Sequence, residues 1–114
     1  MSEHAELTTE RWRDFDRTQQ VLQIAAEMHR AKRALCVDRL PSLKLGYERV
    51  LRLTDLTVQV QTSLSLRREL LRWRDLIAQL YLQDGPDSET HGLLLRVLLQ
   101  LDPEASKQVE YLCA

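Results

Sequence analysis

The residues of this chain that could carry chemistry are three histidines, two cysteines and a run of arginines. His29 and Cys36 lie seven positions apart, which on a helix is about 10 Å along the axis. That separation is too long for one metal ion without further ligands. The sequence has no Cys-x-x-Cys, Glu-x-x-His or His-Glu-x-x-His motif. We therefore expect no metal site and no cofactor.

Nucleophilic catalysis finds equally little support. Cys36 near His29 could act as a nucleophile, but a catalytic thiol needs a lowered pKa and a pocket, and the sequence indicates neither. A buried structural thiol is the simpler interpretation. The three glycines, at positions 46, 85 and 92, cannot form a phosphate-binding loop. We expect a protein that is not an enzyme and has no small-molecule substrate.

The segment Arg67–Arg74 contains four arginines and Trp73, a combination that single-stranded nucleic acid binders use. Glu69 and Asp75 interrupt it, however, and the whole chain has 16 basic and 17 acidic residues, a net charge of −1. Phosphate contacts need a basic surplus. We expect no nucleic-acid binding, and keep a nucleic-acid accessory protein as an alternative.

The elements that would position these residues are helices. The chain has 23 leucines, 13 arginines and only three glycines, and Leu, Arg, Gln, Glu and Ala favour helix. A length of 114 residues predicts one domain. No apolar run reaches the length of a membrane span, and the N-terminus is polar rather than signal-like. The expected class is a cytoplasmic all-α bundle of four or five helices with free thiols; a Cys36–Cys113 disulfide is the alternative state of the two cysteines.

The first helix is expected to be long. Residues 1–7 are interpreted as a flexible tail and 8–114 as a single helical domain. Thr8 fits an N-cap, with Leu7 and Trp12 as a hydrophobic staple. The helix should reach about Leu40, because Pro41 disfavours helical geometry in the residue before it.

Residues 42–62 fit two structures. Apolar positions from Leu43 to Val60 follow a helical stripe, yet Leu56–Leu66 alternates apolar and polar residues as a half-buried strand does. Helix is preferred, with a possible short strand near 56–61.

The next segment predicts a coiled-coil-like helix. Ser63 or Ser65 would cap it, and its apolar residues follow a 4-3-4-3 spacing. They could be bundle core or a subunit or partner interface, and both remain open. The residues are Leu66, Leu70, Trp73, Ile77 and Leu80, with Tyr81 beside them.

The leucine-rich stretch 92–101 is apolar on nearly every face, since Arg96 and Gln100 share one narrow strip. Such a helix must be covered on nearly all sides, and a chain this short has little mass to cover it. Asp87 or Ser88 would cap it, and Asp102-Pro103 would start a last short helix. We predict a homodimer or partner interface that also includes Leu94, Leu95, Leu98, Tyr111 and Leu112.

The chain resembles the quorum-sensing anti-activators of the QslA type. The resemblance rests on length, the Arg-over-Lys bias, the acidic opening Met-Ser-Glu-His-Ala-Glu-Leu, and a long first helix followed by the Leu66–Tyr81 segment. It implies a dimer that binds the ligand-binding domain of a LuxR-type transcription activator, blocks its dimerisation and keeps it off DNA. It carries no residue roles. A secretion or phage-type chaperone is a further alternative.

Overall fold

The fold, taken from a computed structural model that describes residues 8–36 and 39–113, consists of helices only within these ranges. The predicted tail at 1–7, and with it the staple partner Leu7, lie outside the described residues. None of the described helices is both long and apolar enough to cross a membrane. The elements are α1 (Thr9–Trp12), α2 (Arg17–Cys36), α3 (Leu40–Val60), α4 (Leu64–Tyr81), α5 (Ser88–Leu99), a 3₁₀ turn (Ala105–Gln108) and α6 (Val109–Leu112). This confirms the all-α class.

The prediction of one unbroken first helix is wrong, because the chain bends between α1 and α2. Thr8 caps α1 as predicted, its side chain accepting from the Arg11 amide. Asp16 and Gln19 then form a reciprocal capping box: each side chain accepts from the other's backbone N–H at 2.8 Å. The buried Gln20 Nε2 donates to the carbonyl oxygens of Trp12 and Phe15. These local bonds end one helix and start the next.

The segment with two possible structures is helical as far as Val60, with Gln61 as an extended C-cap, so the possible strand near 56–61 does not form. Pro41 lies in the first turn of α3, where its missing N–H has no cost. Two threonines of α3 are accommodated inside the helix. Thr54 and Thr57 are buried, and their hydroxyls donate to the carbonyl oxygens of Val50 and Leu53 one turn earlier. Thr57 belongs to the alternating segment, whereas Gln59 of the same segment is exposed on the helix.

The other predicted caps resolve to one residue each. Ser63 rather than Ser65 caps α4, accepting from the Leu66 amide at 3.2 Å. Asp87 rather than Ser88 caps α5, accepting from the Thr90 amide. The buried Asp102 accepts from the Ala105 amide at the start of the 3₁₀ turn. Each acceptor satisfies an amide that a helix start leaves unpaired.

The core lies between α2, α3, α4 and α5. α2 packs on α3 and α5, and α4 packs on α3 and α5. Trp12 of α1 fills the core from one side, and its Nε1 donates to Thr57 Oγ1 at 2.9 Å. α2 and α3 approach most tightly at Gly46, where an added Cβ would lie 3.1 Å from the Ala31 Cβ. Glycine is needed there because a side chain would push the two helices apart.

Candidate protein-binding surfaces

The coiled-coil-like face of α4 is buried inside the single chain. Trp73 is 2% exposed, and its indole N–H donates to the Leu94 carbonyl of α5 at 2.8 Å. Tyr81 is half-buried and donates to Glu48 of α3. Of the two alternatives for this face, bundle core or binding interface, this fold uses it as core. We call it the inner seam: Leu66, Leu70, Trp73, Ile77 and Leu80, all buried.

The predicted interface leucines of α5 are core residues too. Leu94, Leu95 and Leu98 are buried, because α5 packs against α2 on one side and α4 on another. They have no surface to offer a partner while the chain is folded. The physical reason is that α2, α4 and the 3₁₀ turn together cover most of α5. Leu93 and Val97 are its large apolar residues that remain exposed.

The C-terminal residues of the predicted interface do reach the surface. Tyr111 of α6 is 71% exposed and Leu112 is half-buried. α6 is a single turn, too short to be a stable docking helix without support from its neighbours. Tyr111 is therefore the one predicted interface residue whose side chain is mostly free in this fold.

The structure reveals a second apolar row on the opposite face of α4. Each of its first five members lies two residues before an inner-seam residue, and two residues rotate a helix by about 200°. Leu64, Leu71 and Leu82 are 64%, 46% and 78% exposed. Leu82 follows the last turn in αR geometry and so continues the row. We call this row the outer seam: Leu64, Arg68, Leu71, Asp75, Ala78 and Leu82, spaced 4-3-4-3-4.

Nothing in the described part of the chain covers the outer seam. α4 faces its neighbours through the other sides: Trp73 reaches α5, Arg74 pairs with Asp55 of α3, and Tyr81 bonds Glu48 of α3. Arg68 and Asp75 are exposed and have no ion-pair partner among the described residues. The outer seam is thus a free helix face with apolar residues at its ends and middle and one charge of each sign between them.

A second surface feature is an open groove of about 820 Å³ between the C-terminal half of α2 and the first half of α3. Ala31 and Ala34 form an apolar part of its lining, and most of the rest is cationic. Within the described chain no Asp or Glu and no Phe, Tyr or Trp lines it. The lining residues are His29, Arg30, Ala31, Lys32, Arg33, Ala34, Arg39, Ser42 and Arg49.

A buried carboxylate positions two of the groove arginines. The side chain of Glu27 is 4% exposed, and its two oxygens accept from Arg30 Nη1 at 2.9 Å and from Arg49 Nε at 3.0 Å. Arg30 and Arg49 come from different helices, so Glu27 fixes them relative to each other. A charge-assisted pair to a buried carboxylate has a defined geometry, unlike a freely rotating surface arginine.

The histidines and cysteines do not converge. His29 is exposed at the groove, whereas His91 is fully buried on α5. Cys113 is a free, half-buried thiol, and the side chain of Cys36 lies outside the described residues. Within the described ranges, no group of three potential ligands could hold a metal ion.

His91 forms a closed network in the core. Its Nε2 lies 2.9 Å from the Met28 carbonyl and so must be the protonated nitrogen, which leaves Nδ1 to accept from the Tyr47 hydroxyl at 2.7 Å. Burial lowers the pKa of His91, against an opposing effect of the Met28 hydrogen bond, and Lys32 lowers it further. Burial also raises the pKa of Tyr47 to about 12. Both side chains are therefore neutral and have their hydrogen bonds satisfied, which fits a structural role in the core.

Sequence reasoning missed both surface features, although each left a signal. The outer seam has the same heptad spacing as the inner seam, shifted by two positions. The groove cations cluster at Arg30–Arg33 and then recur at Arg39 and Arg49, but only the packing of α2 on α3 brings them together. The arginine segment Arg67–Arg74, which attracted attention instead, is partly neutralised by pairs with Glu69 and Asp55.

Comparison of the chain with protein-family models, with curated proteins and with solved structures finds no match. A function must therefore be argued from the surfaces themselves.

Proposed function

We propose that this chain is a non-enzymatic regulatory protein that binds other protein chains through the outer seam of α4. The observation that supports it most is the exposure of Leu64, Leu71 and Leu82 in one helical row after the core has been completed. Leucines in heptad spacing on a free helix face match the way helices dock onto helices or into apolar grooves. Scattered surface leucines need no such explanation, but an aligned row does.

One occupant of the outer seam is a second copy of the chain, in antiparallel orientation. A parallel pair would bring Arg68 beside Arg68 and Asp75 beside Asp75, which is unfavourable. An antiparallel pair places Leu64 opposite Leu82 of the second copy and brings Arg68 within about three residues, or about 4.5 Å of helix rise, of the opposing Asp75. The seam is about 28 Å long. A contact of one helix on one helix is smaller than a standard interface, so this homodimer should be weak and concentration-dependent.

The regulated partner is the other occupant. The resemblance to quorum-sensing anti-activators supports the ligand-binding domain of a LuxR-type transcription activator. Such an activator hides an apolar surface between its own subunits, and the outer seam would cover that surface in place of the second activator subunit. The activator would then neither dimerise nor bind DNA. For this to happen, binding of the outer seam to the activator must be more favourable in free energy than dimerisation of the activator with itself.

The homodimer is tested by light scattering over a range of concentrations. The mass should rise from 13.3 kDa toward twice that value for the wild type, whereas Leu71→Glu should remain monomeric and helical. Leu93→Glu, a change at another exposed leucine, on α5, is the matched control and should still dimerise. A Leu71→Glu variant that dimerises like the control excludes the outer seam as the contact.

Binding to the activator is tested by size-exclusion chromatography of the purified protein mixed with the activator's ligand-binding domain. A mixed complex should form, with loss of the activator dimer, and Leu71→Glu or Leu82→Glu should abolish it while Leu93→Glu does not. Charge substitutions at Leu94 or Leu98 would be uninformative, because both side chains are buried and the chain would unfold. An activator that stays dimeric with no mixed complex contradicts this partner but leaves the homodimer result standing.

A further inference from the structure

The basic groove between α2 and α3 shares no lining residue with the outer seam. We infer that it binds a carboxylate-rich segment of a protein chain. This rests on the proposed function only in taking a protein as the ligand, and it adds the chemistry by which that protein is recognised.

The groove concentrates positive charge in a molecule that otherwise lacks it. Five of the 16 basic residues line it, which leaves 11 basic against 17 acidic residues in the rest of the chain. Lys32, Arg33 and Arg39 have no carboxylate partner among the described residues. A local positive surface on an acidic molecule attracts an anion to one place and repels it elsewhere.

The cations are arranged along a line rather than around a point. Arg39 precedes α3 and Arg49 lies ten residues along it, about 15 Å of helix rise. Four of the five are arginines, whose planar forks bind carboxylates in a bidentate manner. The buried Glu27 holds Arg30 and Arg49 at one end, so that end is preorganised before a ligand arrives. Several carboxylates spaced along a peptide fit such a line better than a single small anion does.

The lining also argues against a nucleotide or a nucleic acid. Among the described residues that line the groove, His29 has the only aromatic ring and there is no Phe, Tyr or Trp, so bases lack the row of large stacking side chains that single-strand binders use. The rest of the chain has 11 basic and 17 acidic residues, so a strand longer than the groove would find no basic surplus beyond it. The alanines at 31 and 34 instead offer a small apolar floor that suits the aliphatic part of a peptide.

The test measures fluorescence polarisation of a fluorescein-labelled hexaglutamate peptide with the full chain at low salt and at about 0.15 M, where the Debye length is about 8 Å. The wild type should bind the peptide. Arg33→Glu combined with Arg39→Glu should weaken binding at least about tenfold. The matched control is Arg13→Glu combined with Arg96→Glu, which changes the net charge equally at exposed sites outside the groove. Sodium tripolyphosphate and a single-stranded thymidylate oligonucleotide serve as alternative probes.

Each outcome either supports or overturns the groove as the binding site. Peptide binding that the groove variant loses and the control keeps supports the inference. Equal loss in both variants means general charge attraction and overturns it, as does tighter binding of tripolyphosphate or of the oligonucleotide than of the peptide. The variant Leu71→Glu should bind hexaglutamate normally, and the groove variant should still dimerise at high concentration. Failure of the groove is therefore distinguishable from failure of the outer seam.

Discussion

At the scale of single residues, the most constrained group is the buried pair of Tyr47 and His91. Because the Met28 carbonyl can only accept, it fixes the imidazole tautomer, and the tautomer fixes Tyr47 as donor. A protonated His91 would have two donors, and its Nδ1–H would have to replace the hydrogen bond from Tyr47. It would also bury a charge near Lys32. The hydrogen-bond network therefore favours the neutral form of His91 over the protonated form.

We expect this pair to make folding stability depend on pH. His91 has a lower pKa in the folded chain than in the unfolded chain, so below about pH 6.5 the unfolded state binds the extra proton and is favoured. The free energy of unfolding should therefore be unaffected by His91 above that pH and fall by up to about 1.4 kcal/mol per pH unit below it. Urea unfolding from pH 7.5 to 5 measures this.

The variant His91→Gln is the control for that prediction. It cannot titrate, so its stability should change less between pH 7.5 and 5 than that of the wild type, even if it is less stable throughout. His29→Gln, at an exposed histidine, should keep the wild-type pH dependence. Parallel pH curves for His91→Gln and the wild type would contradict the assignment.

At the scale of elements, two faces of α4 have the same heptad spacing, but one is buried and the other is exposed. The inner seam packs on α3 and α5, whereas the outer seam, rotated by about half a turn, meets solvent. Burial removes apolar surface from water at about 25 cal/mol per Å², so one face contributes to stability and the other is available for association. The heptad spacing alone does not distinguish the two.

Two alanine substitutions separate the faces. Trp73→Ala removes a buried ring and its hydrogen bond to the Leu94 carbonyl, and should cost about 3–5 kcal/mol of the free energy of unfolding. Leu71→Ala on the outer seam should cost less than about 0.5 kcal/mol. Thermal and urea unfolding followed by circular dichroism measure both at a concentration where the chain is monomeric. Similar losses for the two variants would mean that the inner seam is not core.

At the scale of the whole molecule, the chain is a compact body with a radius of gyration of 13.4 Å, close to the value of about 13 Å expected for its length. Its outer seam is mixed in character, with both charge signs, and its groove is strongly basic. The net charge of −1 conceals this separation. Two surfaces of different chemistry on one small domain suit a protein that contacts more than one chain or more than one part of a partner.

The same charge balance predicts negligible binding to DNA or RNA. On the α3 side of the groove, Arg39 and Arg49 lie only about 15 Å apart, and the rest of the chain has more acidic than basic residues, so few phosphates could be neutralised at once. A gel shift with duplex and single-stranded probes at about 0.15 M salt should show no retention in the micromolar range. Sub-micromolar retention of either probe would restore the nucleic-acid alternative.

The sequence by itself determined that the chain is helical, several helix boundaries and the membership of the inner seam, because caps and apolar periodicity are local properties. It did not predict the break between α1 and α2. Thr8, Asp87 and the 4-3-4-3 row from Leu66 to Leu80 are visible in the chain as printed. Tertiary structure decided the rest. It buried Leu94, Leu95 and Leu98, which looked like an interface, because α2, α4 and the 3₁₀ turn pack against α5. It also placed Arg39 and Arg49 beside Arg30 by packing α3 on α2, and exposed the outer seam by turning the inner one inward. Burial depends on what packs against a face, and no spacing along a single helix specifies that.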